Sequence, residues 1–150
     1  MEEIRIAAAQ FEVRNADKEY NLGVMSGLVE EAVKQGADII SFPEVCIPAY
    51  SFMRKSSREE IGELSEAVPG SASVKRLMEM SNDFRIAILA GLIEREGDQY
   101  FNTYVCVDGD QFVAKFRKLH AFINPHISCG NEYVTFQLRG CTCSILICYD

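Results

Sequence analysis

Three side chains of this sequence carry complementary reactivity: the carboxylate of Glu44, the ammonium of Lys118 and the thiol of Cys148. A carboxylate beside a thiol can take its proton, and the sulfur can then attack a carbonyl or nitrile carbon. A fixed ammonium can stabilise the oxyanion that forms. Each residue alone is ordinary, because a cysteine closing an apolar run usually serves packing, and a strand-end Glu or Lys is usually solvated. The chemistry requires a fold that gathers the three.

The elements around them are placed to do so. Ser144 to Ile147 is a short apolar, β-branched run that suits a buried strand, delivering Cys148, Tyr149 and Asp150 at its exit. Phe42-Pro43-Glu44 ends a strand expected over Asp38 to Phe42, since proline cannot continue a central ladder. Glu44 therefore leaves the sheet at its carboxyl edge, where α/β proteins hold sites. Lys118 follows a strand over Gln111 to Phe116, joined to an antiparallel partner, Phe101 to Val107, by Asp108-Gly109-Asp110.

The rest of the chain reads as alternating strand and helix. Ile4 to Ala9 suits a first buried strand. Asp17 can cap a helix whose apolar face is Leu22, Met25, Leu28, Val29, Ala32 and Val33, with Gly36 as its stop. Strand, helix and strand make a βαβ unit. Val45 to Met53 reads as a loop, Ser57-Arg58-Glu59-Glu60 as a capping box, and Ser71 as the cap of a helix ending near Ser81-Asn82-Asp83. Arg85 to Gly91 is a third strand; Ile123 to Asn131 is a loop, and Tyr133 to Leu138 a further strand. With no repeat or linker, residues 1–150 are expected to form one α/β domain.

Composition bounds the function. The chain is 48% apolar and 25% charged with both signs mixed, as in soluble globular proteins, and 150 residues can bury about 70% of the unfolded surface. A net charge of -7 argues against nucleic acid or an anionic membrane as partner. Ile4 to Ala9 is too short to export or span, so the six cysteines fit a reducing cytoplasm better than a disulfide framework. Cys141-Thr-Cys143 has neither zinc spacing nor a second ligand pair, and neither metal nor organic cofactor is expected.

With these residues in view, the sequence resembles the nitrilase superfamily of carbon-nitrogen hydrolases. Phe42-Pro43-Glu44 with Tyr50 is similar to that family's glutamate motif, Phe116-Arg117-Lys118-Leu119-His120 to its lysine motif, and Leu146-Ile147-Cys148-Tyr149-Asp150 to its cysteine motif. Gln10, Gly91, Asn102 and Asp108-Gly109 also fall where the family commonly has such residues. The resemblance implies an αββα sandwich, incomplete at its C-terminus because it covers only the first half of that domain. It implies Glu44 as general base, Cys148 as nucleophile forming a thioester, and Lys118 as oxyanion partner, acting on a linear amide, carbamoyl or nitrile carbon, amide before nitrile. Tyr50 and Tyr149 would lie at the substrate. His120 would support the site, although two residues beyond Lys118 it could also pair with a cysteine.

The sequence departs from the family in one place. Many relatives carry a second glutamate after the lysine motif, where Pro125 stands here; either Glu132 substitutes or the role is lost. That departure keeps open a non-catalytic nitrilase-like module that binds a ligand or partner, and Cys141 with Cys143 keeps open a redox or metal protein. The shortness of the match implies a fragment of a longer catalytic domain that is not efficient by itself, with exposed sheet surface favouring a homodimer or higher oligomer.

Overall fold

The computed structural model describes residues 3–150. It begins with the expected βαβ crossover: β1 (Ile6–Ala8), α1 (Lys18–Lys34) and β2 (Ile39–Ser41), with the two strands parallel. Asp17 caps α1 by accepting the Tyr20 N–H at 3.0 Å, and the chain turns out of the helix at Gly36, whose φ is +79°. The first strand is not buried as expected. It is the edge of the sheet with a single neighbour, and Ile6 is 66% exposed.

Three helices follow. The segment read as a loop holds a single turn, α2 (Tyr50–Met53). The capping box opens α3 (Arg58–Leu64): the Ser57 hydroxyl accepts the Glu60 N–H at 3.2 Å, and the Glu60 carboxylate accepts the Ser57 N–H at 2.7 Å. Ser71 caps α4 (Ala72–Phe84), which runs past its expected end and closes at Arg85, in the left-handed region at φ +55°.

The chain then builds β3 (Ala87–Glu96), β4 (Gln99–Asp108) and β5 (Gln111–Arg117) as antiparallel neighbours, with Gly109 at φ +61° in the expected turn. Strands β1 to β5 lie side by side in sequence order, and β6 (Ile127–Ser128), inside the segment read as a loop, pairs with β4. A separate hairpin joins β7 (Thr135–Leu138) to β8 (Cys141–Ser144).

Alternation along the strands sorts the core into layers. Ile40, Ile88, Ala90, Val105 and Val107 pack under Met25, Val29, Val74 and Leu77 of α1 and α4. Their neighbours Ile39, Ala87, Cys106 and Ala114 cluster on the other face with Phe136, Leu138 and Cys143 of the hairpin. Helices, sheet and second sheet are three of the four layers of the expected αββα sandwich. Among the described residues no helix is long and apolar enough to cross a membrane.

The strand expected over Ser144 to Ile147 does not form. The β7–β8 ladder ends at the pair Thr135 and Ser144, so Ile145 to Ile147 have no neighbouring backbone to complete a strand. Their in-and-out alternation survives: Ile145 and Ile147 are buried with Tyr104 and Phe116, while Leu146 is exposed.

Candidate active site

Glu44 sits just beyond β2 on a chain segment that presses directly on the sheet. The Tyr104 hydroxyl donates to the Phe42 carbonyl, and the Phe42 N–H donates to the Leu89 carbonyl at 2.9 Å, fixing the entry to Pro43-Glu44. On the exit side the Ile47 N–H donates to the Gly91 carbonyl at 3.2 Å. Gly91 is required: a Cβ there would overlap the Val45 nitrogen and crowd the Glu44 backbone. Val45 itself stands at φ +48°, a rare conformation for a β-branched residue, next to the carboxylate it helps to aim.

Lys118 follows the last residue of β5, as the sequence suggests, and is only 3% exposed. Its backbone is bracketed: the N–H donates to the Asn102 carbonyl at 2.8 Å, and the carbonyl accepts the Gly130 N–H at 2.8 Å. Gly130 has no room for a Cβ, which would overlap the Arg117 carbonyl. The Lys118 ammonium reaches Glu44 Oε1 at 2.6 Å, and Asn102 Nδ2 reaches the same oxygen at 2.6 Å. A buried ammonium thus has its counter-charge in place and keeps two N–H donors for a further acceptor.

Cys148 is exposed in a turn beyond Ile147, at φ +51°, and not at the mouth of a strand. It lines, with Glu44, Ser41, Leu89, Tyr104 and Ile147, a cleft of about 260 Å³. The turn is fastened by Asp150, whose side chain is fully buried. The Asp150 carboxylate accepts N–H bonds from His120 at 2.9 Å and from Leu119 and Ile147 at 3.3 Å each, and the His120 ring nitrogen Nδ1 lies 3.1 Å from it. One side chain therefore ties the lysine segment to the cysteine turn. Burial works against the ionised form of Asp150, but these hydrogen bonds outweigh it and hold the carboxyl below its ordinary pKa.

The other cysteines separate from Cys148 on environment. Burial pushes the thiols of Cys46 and Cys106 up to about 12, and burial also raises Cys143, so these are poor sources of thiolate. Of the six, Cys148 is the thiol in the cleft with Glu44.

Tyr50, the first residue of α2, belongs to the same neighbourhood. Burial foremost, then the Glu44 charge, pushes its phenol up, with Lys118 opposing and Cys148 adding. Tyr149 is exposed, its ring edge-on to Phe122 at 5.5 Å and to His120 at 6.1 Å. His120 follows the end of β5 and is tied to Asp150; no hydrogen bond joins its ring to Cys148 among the described residues. Glu132 and Pro125 are both exposed, and no hydrogen bond or ion pair brings Glu132 to the cluster among the described residues. Cys141 and Cys143 are both free thiols.

Sequence reasoning passed over the polar residues that assemble the site. Asp150 was visible only as part of the cysteine motif, and Asn102 only as a family position. Asn124 had no signal: it is buried in the loop after Lys118 and donates to the Met53 and Ser56 carbonyls at 2.8 and 2.9 Å. The bonds of Asn102 to Glu44, Asp150 to His120 and Asn124 to Met53 join segments at least 30 residues apart in sequence, a pairing that no local pattern announces.

Comparison with known proteins places this architecture. The carbon-nitrogen hydrolase family matches residues 5–150. A nitrilase of Pyrococcus abyssi is 29% identical over 150 residues, covering 98% of this chain and 56% of the relative. Omega-amidase NIT2 of Bos taurus is also 29% identical, over 163 residues that cover the whole of this chain and 56% of the relative. The crystal structure of an amidase from Nesterenkonia sp. superposes with a TM-score of 0.79 at 24% identity, covering 97% of this chain and 56% of that one. The chain thus spans about half the length of the curated relatives it matches, and on that match it belongs to the carbon-nitrogen hydrolase family.

Proposed function

We propose that residues 1–150 form a domain of a cysteine hydrolase that cleaves a non-peptide carbon-nitrogen bond, with a linear amide as first substrate class and carbamoyl or nitrile carbons after it. The observation that carries this reading is the shared cleft of Glu44 and Cys148, with the Lys118 ammonium 2.6 Å from the Glu44 carboxylate. Omega-amidase among the relatives supports including amides, and the nitrilase keeps nitriles in the range.

In this reading Glu44 takes the thiol proton and the Cys148 sulfur attacks the substrate carbon. The Lys118 ammonium stabilises the charge that develops on oxygen, using N–H donors not committed to Glu44. Ammonia or an amine leaves with the proton held by Glu44, giving a thioester. Water, deprotonated by the same carboxylate, then releases the acid. Tyr50, whose phenol feels the Glu44 and Cys148 charges, and Tyr149, next to the thiol in sequence, are the candidates to meet substrate, and His120 supports the turn through Asp150.

A second reading is a nitrilase-like module that binds without turnover. Pro125, standing where many relatives carry a second glutamate, favours it, and Glu132 is exposed with no hydrogen bond or ion pair to the cluster among the described residues. Intact-protein mass spectrometry after exposure to a panel of linear amides tests both. The hydrolase reading expects an acyl adduct that disappears in Cys148→Ala; protein that binds amides with no adduct and no acid released leaves the binding module.

A further inference from the structure

We propose that Asn102 is a positioning residue that commits one oxygen of Glu44 and so leaves the other to take the proton of Cys148. The inference rests on Glu44 being the base and Cys148 the nucleophile, and assigns a role that this reading leaves open. Asn102 lies in β4, paired with Ile93 of β3, and is only 2% exposed. Its Nδ2 donates to Glu44 Oε1, the oxygen that Lys118 also holds. Two short bonds on one carboxylate oxygen match its two lone pairs. Among the described residues Oε2 receives no hydrogen bond, and Glu44 lines the cleft with Cys148. The thiol proton therefore goes to Oε2: the S–H bond breaks, its electron pair stays on sulfur, and an O–H bond forms on Glu44.

The far end of the same side chain points to this role. Among the described residues Asn102 Oδ1 is buried with no hydrogen-bond partner, a state that proteins rarely tolerate. A residue kept only for its volume would be better apolar, since a buried amide oxygen without a partner costs the desolvation of that group. Turning the amide over would set its carbonyl against the carboxylate. The orphaned oxygen is what remains when the donor end is required on Glu44. The ionisable groups around that carboxylate are Lys118 after β5, the Tyr50 phenol on α2 and the Cys148 thiol across the cleft.

The test compares Asn102→Leu, Asn102→Asp and Glu44→Gln in the protein that carries this chain. Asn102→Leu should keep its thermal midpoint and a KM within about threefold, while kcat falls roughly 10- to 100-fold, the scale of a misplaced reacting group. Alkylation of Cys148 by iodoacetamide should move to higher pH. In Asn102→Asp the protonated acid matches the amide in shape and can donate to Oε1, whereas the ionised form repels it. Its kcat should therefore rise from about pH 8 to about pH 5.5, relative to the native protein, with no such recovery in the Leu variant. Native kcat and a native alkylation profile in Asn102→Leu, or an Asp variant with no recovery in acid, would overturn the proposal. If the Leu variant fails to fold, the Asp variant decides alone. Full turnover in Glu44→Gln would instead remove the base assignment beneath it; an inactive Glu44→Gln with a native-like Asn102→Leu removes only the role of Asn102.

Discussion

On one side of the cleft Glu44 and Lys118 are held by the sheet itself: backbone hydrogen bonds on both flanks, glycines at 91 and 130 that let the chain press against its neighbours, and one carboxylate oxygen gripped by two donors. On the other side Cys148 is exposed in a turn that follows an unpaired segment, and a single carboxylate, Asp150, ties that turn to the lysine segment. The proposed base and oxyanion partner are thus set by packing that leaves no slack, while the proposed nucleophile is set by electrostatics. The two sides should fail in different ways when perturbed.

Cys148→Ala gives the largest loss of turnover and the smallest change in fold. In the proposed mechanism the thiol supplies the covalent route, so kcat should fall by roughly 10⁴-fold or more, while an exposed side chain reduced to methyl should leave the thermal midpoint unmoved. Steady-state amide hydrolysis and a thermal melt measure both. A marked drop in melting temperature would mean that the cysteine turn is built into the core after all.

Lys118→Ala should strike both quantities. If Lys118 is the oxyanion donor proposed, its loss is worth about 3 to 4 kcal/mol in the barrier, or about 10²- to 10³-fold in kcat. Removing a 3% exposed ammonium from beside Glu44 should also destabilise the fold by about 3 to 5 kcal/mol, because the carboxylate loses its counter-charge in a confined place. Denaturant titration gives the second number. Loss of kcat with unchanged stability would contradict the tight packing of this side.

Gly91→Ala probes the same side without touching a reactive group. The added methyl must displace Val45 and with it Glu44, which should cost about 1 to 3 kcal/mol of stability. Activity should fall up to about 100-fold from a displacement of the order of 1 Å. Native activity in a stable Gly91→Ala protein would show that Glu44 is not aimed by this contact.

The contrast also explains what the sequence could disclose. The caps at Asp17, Ser57 and Ser71 and the Asp108-Gly109 turn are decided within a few residues of chain, and they stand where the local pattern puts them. Ser144 to Ile147 shows the opposite: its composition suits a strand, but a strand is made by its neighbour, and the ladder to β7 stops at Ser144. β1 was placed correctly but expected to be buried, since an apolar run does not say whether it lies at an edge or in the centre. The three proposed site residues are legible because each follows an expected strand and falls within a family-like motif. Asn102, Asn124 and Asp150 are not, because an ordinary polar residue becomes a fastener only when the fold brings a distant partner to it.

The smallest effect should come from Asp150→Asn, and its sign depends on pH. The Asp150 oxygens accept in two sets: Oδ1 faces the His120 N–H and ring, and Oδ2 faces the Leu119 and Ile147 N–H groups. An amide accepts through only one end, so whichever way it turns, one set of donors meets an NH₂ group. Above the ordinary aspartate value of 3.8, the native protein should therefore be more stable than the variant, and its Cys148 should be alkylated with a tighter pH profile. The folded carboxyl titrates below that value, so the unfolded chain takes up the proton first, and the stabilisation fades as pH falls from about 3.8 through the folded pKa. The difference in melting temperature between native and Asp150→Asn protein should be constant near neutral pH and shrink in acid. Taking the difference between the two proteins cancels the other carboxylates, including Glu94, whose pKa is also lowered, its bonds to Arg117, Lys115 and Thr103 outweighing its burial. A gap that stays constant into strong acid would mean that Asp150 acts through its shape, and that the cysteine side of the cleft is held by packing like the other.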